Sequence, residues 1–211
     1  MSQEFNDKPA QGTPEWMAQR IGCLTASRMS DALAKRKDGT SLQSRDDLIW
    51  EIVAERVTGK KVSVFQNAAM KWGVETEPMA RAYFEGATKQ VVTLAPFLRH
   101  PDIEFCGASP DGFCQDGSLL EIKCPNTRTH LRTVMSGEIP SYHFPQMLLQ
   151  LAVTGAKECH FVSFDPRVLD SKLRMFHRVF KPTQEEITQV EQDACKLLEE
   201  VKDVILKLSL A

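Results

Sequence analysis

Through the first ninety residues the apolar positions recur every three to four places, and beyond that they alternate. Thr13 followed by Pro14 opens a short helix: the hydroxyl caps free amides and proline suits the first helical position. Thr25 or Ser27 starts a second helix running to about Lys35, and KDGTS at 37–41 is a turn. Ser44, ahead of two aspartates, caps a longer helix. Ile49, Ile52, Val53, Arg56 and Val57 stand at helical spacing in it, and Gly59 is its stop. Asn67 caps a further helix through Trp72, Met79, Tyr83 and Phe84, with a kink or break expected at Pro78.

Between residues 91 and 123, VVTL, PFLRH, IEFCGAS and SLLEIK read as four short strands, with a tight turn at PDG or QDG. A helix follows at about 128–137. SYHFPQMLLQLAVTG, 141–155, is apolar on most sides and closed by glycine, the pattern of a buried helix. KECHFVSFD and KLRMFHRVF are two more strands. Thr183 and Glu186 make a capping box for a last helix with its apolar stripe at 187, 190, 194, 197, 198, 201, 205 and 208. No repeat or low-complexity segment interrupts this order. The chain is read as one domain over 1–211, with a helical part at about 13–90, a sheet at about 91–180 and a closing helix at about 183–208. The class is α+β, a central mixed sheet flanked by helices.

Composition adds little: 211 residues, 42% hydrophobic and 26% charged, are enough for one sizeable core. No apolar run approaches a membrane span, and MSQEFNDKPAQG lacks the apolar stretch of a signal peptide. The six cysteines form no CxxC pair. Cys106, Cys114 and Cys124 are wrongly spaced for zinc, so the thiols are read as reduced, in a cytoplasmic protein. The five histidines also lack metal-like spacing and are read as packing or surface residues, His143 alone falling near the candidate site. Charge adds more. The net value is only −2, yet residues 16–61 hold nine Lys/Arg against six Asp/Glu, and 182–211 hold three against seven. A basic front and an acidic back allow a polyanion to bind on one side. KRK at 35–37 is a candidate contact for it.

The candidate chemistry lies in GASPDGFCQDGSLLEIKC, 107–124. On a strand, Leu119, Glu121 and Lys123 share one face and Leu120, Ile122 and Cys124 the other. A turn before the strand brings Asp111 toward Glu121. Two such carboxylates repel unless a cation sits between them. Oxygen donors, with the Ile122 carbonyl beside them, suit Mg²⁺ or Mn²⁺ rather than zinc. Lys123 can orient a water or stabilise charge on a phosphate. These parts fit metal-assisted hydrolysis of a phosphodiester. A solvated Glu/Lys face is the plain alternative.

PD followed by ExK is the signature of the restriction-endonuclease-like nucleases. More closely, the chain resembles the phage lambda exonuclease and YqaJ-type viral recombinase nuclease family over about 16–167. The pieces arrive in order: W…RIGCLTAS at 16–27, KWGVETEPMAR at 71–81, ASPDGFCQDGSLLEIKCP at 108–125, PQ at 145–146 and FDPR at 164–167. The resemblance implies that Asp111 and Glu121, with the Ile122 carbonyl and Glu77, hold the metal. It makes Lys123 the catalytic lysine and Gln146 an active-site residue on the crossover helix. Arg20, Ser27 and Ser109 match phosphate-contacting positions. It further implies a Mg²⁺-dependent enzyme of phage or prophage origin that digests linear duplex DNA from 5′ ends. Such an enzyme leaves 3′ single strands for a single-strand annealing protein and works as a ring-shaped homotrimer. Two rivals stand beside this reading, a sequence-specific restriction endonuclease of the same fold and a DNA-binding protein without turnover. Residues 35–66 match poorly, so no strand-separating wedge is named there.

Overall fold

In the computed structural model, residues 7–35, 40–62 and 68–210 are described. The caps expected at Thr13 and Thr183 form. Thr13 Oγ1 accepts from the Trp16 amide at 3.3 Å and opens α1 (Pro14–Gln19), while the reciprocal Thr183–Glu186 box opens α7 (Gln184–Ser209). α3 (Gln43–Thr58) ends at Gly59 in the left-handed conformation, but it starts one residue before Ser44, with Leu42 at the cap position. α4 (Ala68–Thr88) runs on through Pro78 as one helix. The ring removes the bond to the Val74 carbonyl, and Val74 and Pro78 both face solvent, where water can replace it. The expected Asn67 cap and most of the 37–41 turn lie outside the described residues.

The helix expected from 25 to 35 is largely absent. Leu24–Thr25 is instead a short strand, β1, followed by a single 3₁₀ turn at 26–28 and the four-residue α2 (Met29–Ala32). Thr25 Oγ1 spends its hydrogen bond on Ser27 Oγ at 3.2 Å and caps no amide. Pairing of β1 with β4 (Cys106–Ala108) takes precedence over local helix propensity.

Two sheets result. β1, β4 and β3 (Leu98–Arg99) form one, with β1 and β4 parallel. The other runs β2 (Val92–Thr93), β5 (Gly112–Cys114), β6 (Leu119–Lys123), β7 (Cys159–Phe164) and β8 (Met175–Phe180). Its β6–β7 pair is parallel and its other pairs antiparallel. The tight turn falls at QDG, where Gly117 takes φ +88°. PDG instead leads straight into β5. Gly112 has no room for a side chain, since a Cβ there would collide with the branched Val92 side chain.

α5 (Thr127–Ser136), capped by Asn126, and a 3₁₀ turn at 141–143 lead into α6 (Phe144–Thr154), the crossover helix between β6 and β7. α6 sends Leu149 and Val153 into a core with α3, α7 and the small sheet. It sends Met147 and Leu151 into a second core with Leu119, Phe161 and Phe176. On the far side of the large sheet, α4 packs Ala80 and Phe84 against Cys114, Leu120, Ile122 and Val162. α7 buries its stripe from Val190 to Val201, but Leu208, expected to be part of it, is exposed. Among the described residues no helix is long and apolar enough to cross a membrane.

Candidate active site

The alternation of β6 places its chemistry. Leu120 and Ile122 face α4, while Leu119 faces α6 with Glu121 and Lys123 on the same side. That face is not solvated. Glu121 is 1% exposed, and a carboxylate buried so deeply survives only with partners for both oxygens. α6 and Lys123 supply them. Gln146 Nε2 donates to Glu121 Oε1 at 2.6 Å and Gln150 Nε2 donates to Oε2 at 2.6 Å. Lys123 Nζ reaches Oε1 at 2.6 Å and also donates to Gln146 Oε1 at 3.0 Å. The four side chains form one closed network at the C-terminal end of β6.

Asp111 lies immediately before β5, tied to β6 twice. Its amide donates to the Leu120 carbonyl at 3.1 Å, and its Oδ2 accepts from the Ile122 amide at 2.6 Å. The Ile122 peptide therefore lies beside Asp111. Burial, and then the nearby charges of Glu121 and Glu77, push the Asp111 carboxyl well above its ordinary range. Glu77, on α4, is raised by burial too, although Arg81 one turn on pairs with it at 2.6 Å and pulls the other way. Burial alone would lower the Lys123 pKa, but the carboxylates of Glu121, Asp111 and Glu77 outweigh it and raise it. Lys123 stands as an ammonium. The three carboxylates feel one another but do not close to within 4.8 Å as a set, since Glu77 turns to Arg81 and Glu121 to the glutamines. His143 is drawn down to about 3 by burial, with the Lys123 charge adding to the effect.

The three phosphate candidates lie on segments flanking the strands of the other sheet, Arg20 ahead of β1, Ser27 just after it and Ser109 just after β4. Arg20, just past α1, lays its guanidinium over the Trp16 ring at 4.0 Å, and Trp16 Nε1 donates to Ser109 Oγ at 3.0 Å. Arg20 Nε is buried with no hydrogen-bond partner among the described residues. Ser27 and Ser109 each stand two places beyond the paired Thr25 and Gly107, so the β1–β4 register sets them at the same end. The loop after Arg20 is pinned by the buried Glu55, whose Oε2 accepts the Gly22 amide at 2.8 Å, and by Arg56 Nε on the Gly22 carbonyl at 2.9 Å. No long helix begins near Thr25, so the helix N-terminus expected to share an anion with Arg20 is not present.

Two neighbours of the site went unread in the sequence. Gln150, on the same helix as Gln146, is fully buried and holds the second oxygen of Glu121. A glutamine four places after Gln146 in an apolar helix was the available signal. Arg81, within KWGVETEPMAR, engages Glu77. Two other pieces of the ordered series also meet. Arg167 stacks over Trp72 at 4.2 Å and grips the buried Asp165 through Nε at 2.8 Å and Nη2 at 3.0 Å.

A mixed sheet flanked by helices, with Asp111, Glu121 and Lys123 gathered about β6, defines a restriction-endonuclease-like nuclease, a phosphodiester hydrolase. Within that class the chain belongs to the YqaJ-like viral recombinase family, whose match spans residues 15–157. It is 38% identical to the alkaline exonuclease LHK-Exo of Laribacter hongkongensis, solved alone and in complex with dAMP. The TM-score is 0.85, over 93% of this chain and 96% of that one. A phage-related exonuclease of Haemophilus somnus shares the fold at TM-score 0.66 and 12% identity, over 88% of this chain and 96% of that one. An uncharacterised protein of Acanthamoeba polyphaga mimivirus is 27% identical over 165 residues, 72% of this chain and 28% of that protein. The chain thus spans less than a third of that relative's length.

Proposed function

We propose that this protein is a Mg²⁺-dependent exonuclease that digests one strand of linear duplex DNA from its 5′ end. The product is a 3′ single strand, passed to an annealing protein in phage-type recombination. The observation that carries this reading is the buried Glu121–Lys123–Gln146–Gln150 network beside Asp111. Such a costly polar cluster in a core has a use in hydrolysis and none in packing. LHK-Exo, solved with the mononucleotide dAMP, supports a nucleotide substrate class.

The donor set suits a hard divalent ion. Glu77, Asp111, Glu121 and the Ile122 carbonyl offer oxygen only, and the carboxylates carry more negative charge than Lys123 and Arg81 offset. Those four would hold Mg²⁺, with Mn²⁺ able to replace it. When bound, the ion supplies positive charge for the phosphate and lowers the pKa of a water. The chain does the rest. Gln146 and Gln150 fix the Glu121 carboxylate so that it does not turn. Lys123, held as an ammonium at the rim of the network, donates to the attacking water or to a phosphate oxygen as charge builds there. Arg20 offers its fork to the terminal phosphate, with Ser27 and Ser109 as hydroxyl donors to the same anion.

The test is linear duplex with 5′-phosphate ends beside closed circular duplex, with Mg²⁺ or with EDTA. The expected result is loss of one strand of the linear duplex, mononucleotide release, an intact circle and no reaction in EDTA. Cutting of the circle at fixed positions would establish the restriction-endonuclease reading, and binding without any cleavage the non-catalytic one. A homotrimer, seen by light scattering at micromolar concentration, accords with processive digestion, and a monomer would remove the ring.

A further inference from the structure

At the other end of β5 and β6 from Asp111 and Lys123, three different donors converge. Cys114 closes β5, Asp116 sits in the QDG turn, and His160 lies on β7, two strands across. Their sulfur, oxygen and nitrogen atoms all lie within 4.8 Å of one another. Cys114 and His160 are buried and Asp116 is exposed, so the cluster opens to solvent on one side.

A second observation points to a ligand. His160 Nδ1 is engaged by His177 Nε2 at 2.8 Å, the two rings stacking at 5.0 Å with Phe84 against both. That leaves Nε2, which is buried and has no hydrogen-bond partner among the described residues. His160 is 7% exposed, and an orphaned imidazole nitrogen so deep calls for a partner. Asp116 is likewise held in place. Its Oδ1 accepts the Ser118 amide at 2.9 Å and hydroxyl at 2.6 Å, and its Oδ2 accepts Gln90 Nε2 at 2.6 Å. Outer hydrogen bonds that aim a histidine and a carboxylate are what metal ligands require.

We propose that Cys114, Asp116 and His160 bind a zinc ion that pins the β5–β6 hairpin to β7. Thiolate, imidazole and carboxylate select zinc where the oxygen-only catalytic set selects magnesium. A thiolate and a carboxylate balance the ion's two charges, the thiol proton leaves to solvent, and water takes the fourth position. Ligands of a tetrahedral zinc ion stand roughly 3.3–3.8 Å apart, a spacing the exposed Asp116 can reach by a small side-chain adjustment. The linear spacing hid this site. Cys114 and Asp116 are two apart, but His160 joins them only through the strand order.

The experiment titrates Co²⁺ into the chelator-treated full chain carrying Asp111→Asn and Glu121→Gln, which removes the competing catalytic carboxylates. One equivalent should give a thiolate-to-cobalt charge-transfer absorption that Zn²⁺ abolishes. Cys114→Ser should lose the band, and His160→Gln should weaken Co²⁺ binding at least tenfold. Zn²⁺ should raise the melting midpoint of the parent chain and not that of either variant. If one variant fails to fold, the other and Asp116→Asn carry the comparison. No band in the parent, a band surviving Cys114→Ser, or undiminished affinity in His160→Gln would overturn the site.

Discussion

Gln150→Leu separates catalysis from stability at a fully buried position. The wild-type amide does two opposed things there. Its Nε2 donates to Glu121 Oε2 at 2.6 Å, while its Oε1 is buried without a partner among the described residues. A hydrogen bond to a charged group contributes about 1.5–3 kcal/mol, and a buried unpaired carbonyl costs about 1–3 kcal/mol. Leucine, close in size, removes both but leaves Glu121 Oε2 buried without its donor, so the unfolding free energy should fall by about 1–3 kcal/mol. Activity should not be spared. Glu121 keeps Gln146 and Lys123 on one oxygen but loses the fixed donor on the other, so its carboxylate can turn. If the full 1.5–3 kcal/mol acts on the barrier, the rate falls on the order of ten- to a hundredfold. The assay is the initial rate of linear-duplex digestion across a Mg²⁺ series, set beside denaturant unfolding of the same preparations. A loss of rate with a rightward shift in Mg²⁺ dependence is expected in a chain that stays folded with modestly reduced stability. Wild-type rates in Gln150→Leu would refute the reasoning, and so would a loss of several kcal/mol of stability that accounts for the inactivity.

Asp111→Asn and Glu121→Gln should each abolish hydrolysis while far-UV circular dichroism and binding to linear duplex persist; measurable turnover in either would dissociate that residue from the chemistry. Arg20→Ala should lower the rate on 5′-phosphate ends on the order of ten- to a hundredfold and shrink the preference over 5′-hydroxyl ends, with Arg20→Lys restoring part of it. An equal loss on both ends would make Arg20 a general backbone contact. Although burial opposes it, Arg167 holds the Asp165 carboxyl down to about 2, below its ordinary 3.8. The stability this confers is therefore present above about pH 4 and is lost as pH falls through about 2, amounting to roughly 1–2 kcal/mol once solvent screening of the half-exposed Arg167 is allowed for. Arg167→Ala should move the acid-unfolding midpoint upward, and an unchanged acid limb would show that the pair contributes nothing.

What the sequence displayed and what it hid divide along one physical line. Properties set within a few residues were legible: the Thr183–Glu186 box, the glycine stops at 59 and 155, and the alternation that puts Glu121 and Lys123 on one face of β6. Properties set by pairing across the chain were not. β1 is two residues long and β5 three, too short to show a period; β1 exists because the distant β4 binds it, and β5 because β2 and β6 flank it. Residues 25–35 had the local look of a helix start, and the parallel partner β4 decided otherwise. Pro78 looked like a break, but the cost it imposes falls on a solvated face and the helix continues.

The same division explains the site. Asp111, Glu121 and Lys123 sit within thirteen positions of one another, so motif reading finds them. Gln150 and the Cys114–Asp116–His160 cluster depend on which elements the topology sets beside β6. The β6–β7 pair is parallel, so the chain must cross over between its two strands, and the crossover helix is α6, lying over the Glu121 face. Its i, i+4 spacing then aims Gln146 and Gln150 at the two oxygens of one carboxylate. The opposite face of β6 packs against α4, and there the strand order β5–β6–β7 carries Cys114 toward His160. A single buried strand thus orders two donor sets, and their difference in chemistry follows from which residues each neighbour contributes: amides and carboxylates from α6 and the Asp111 loop, a thiol and an imidazole from β5 and β7.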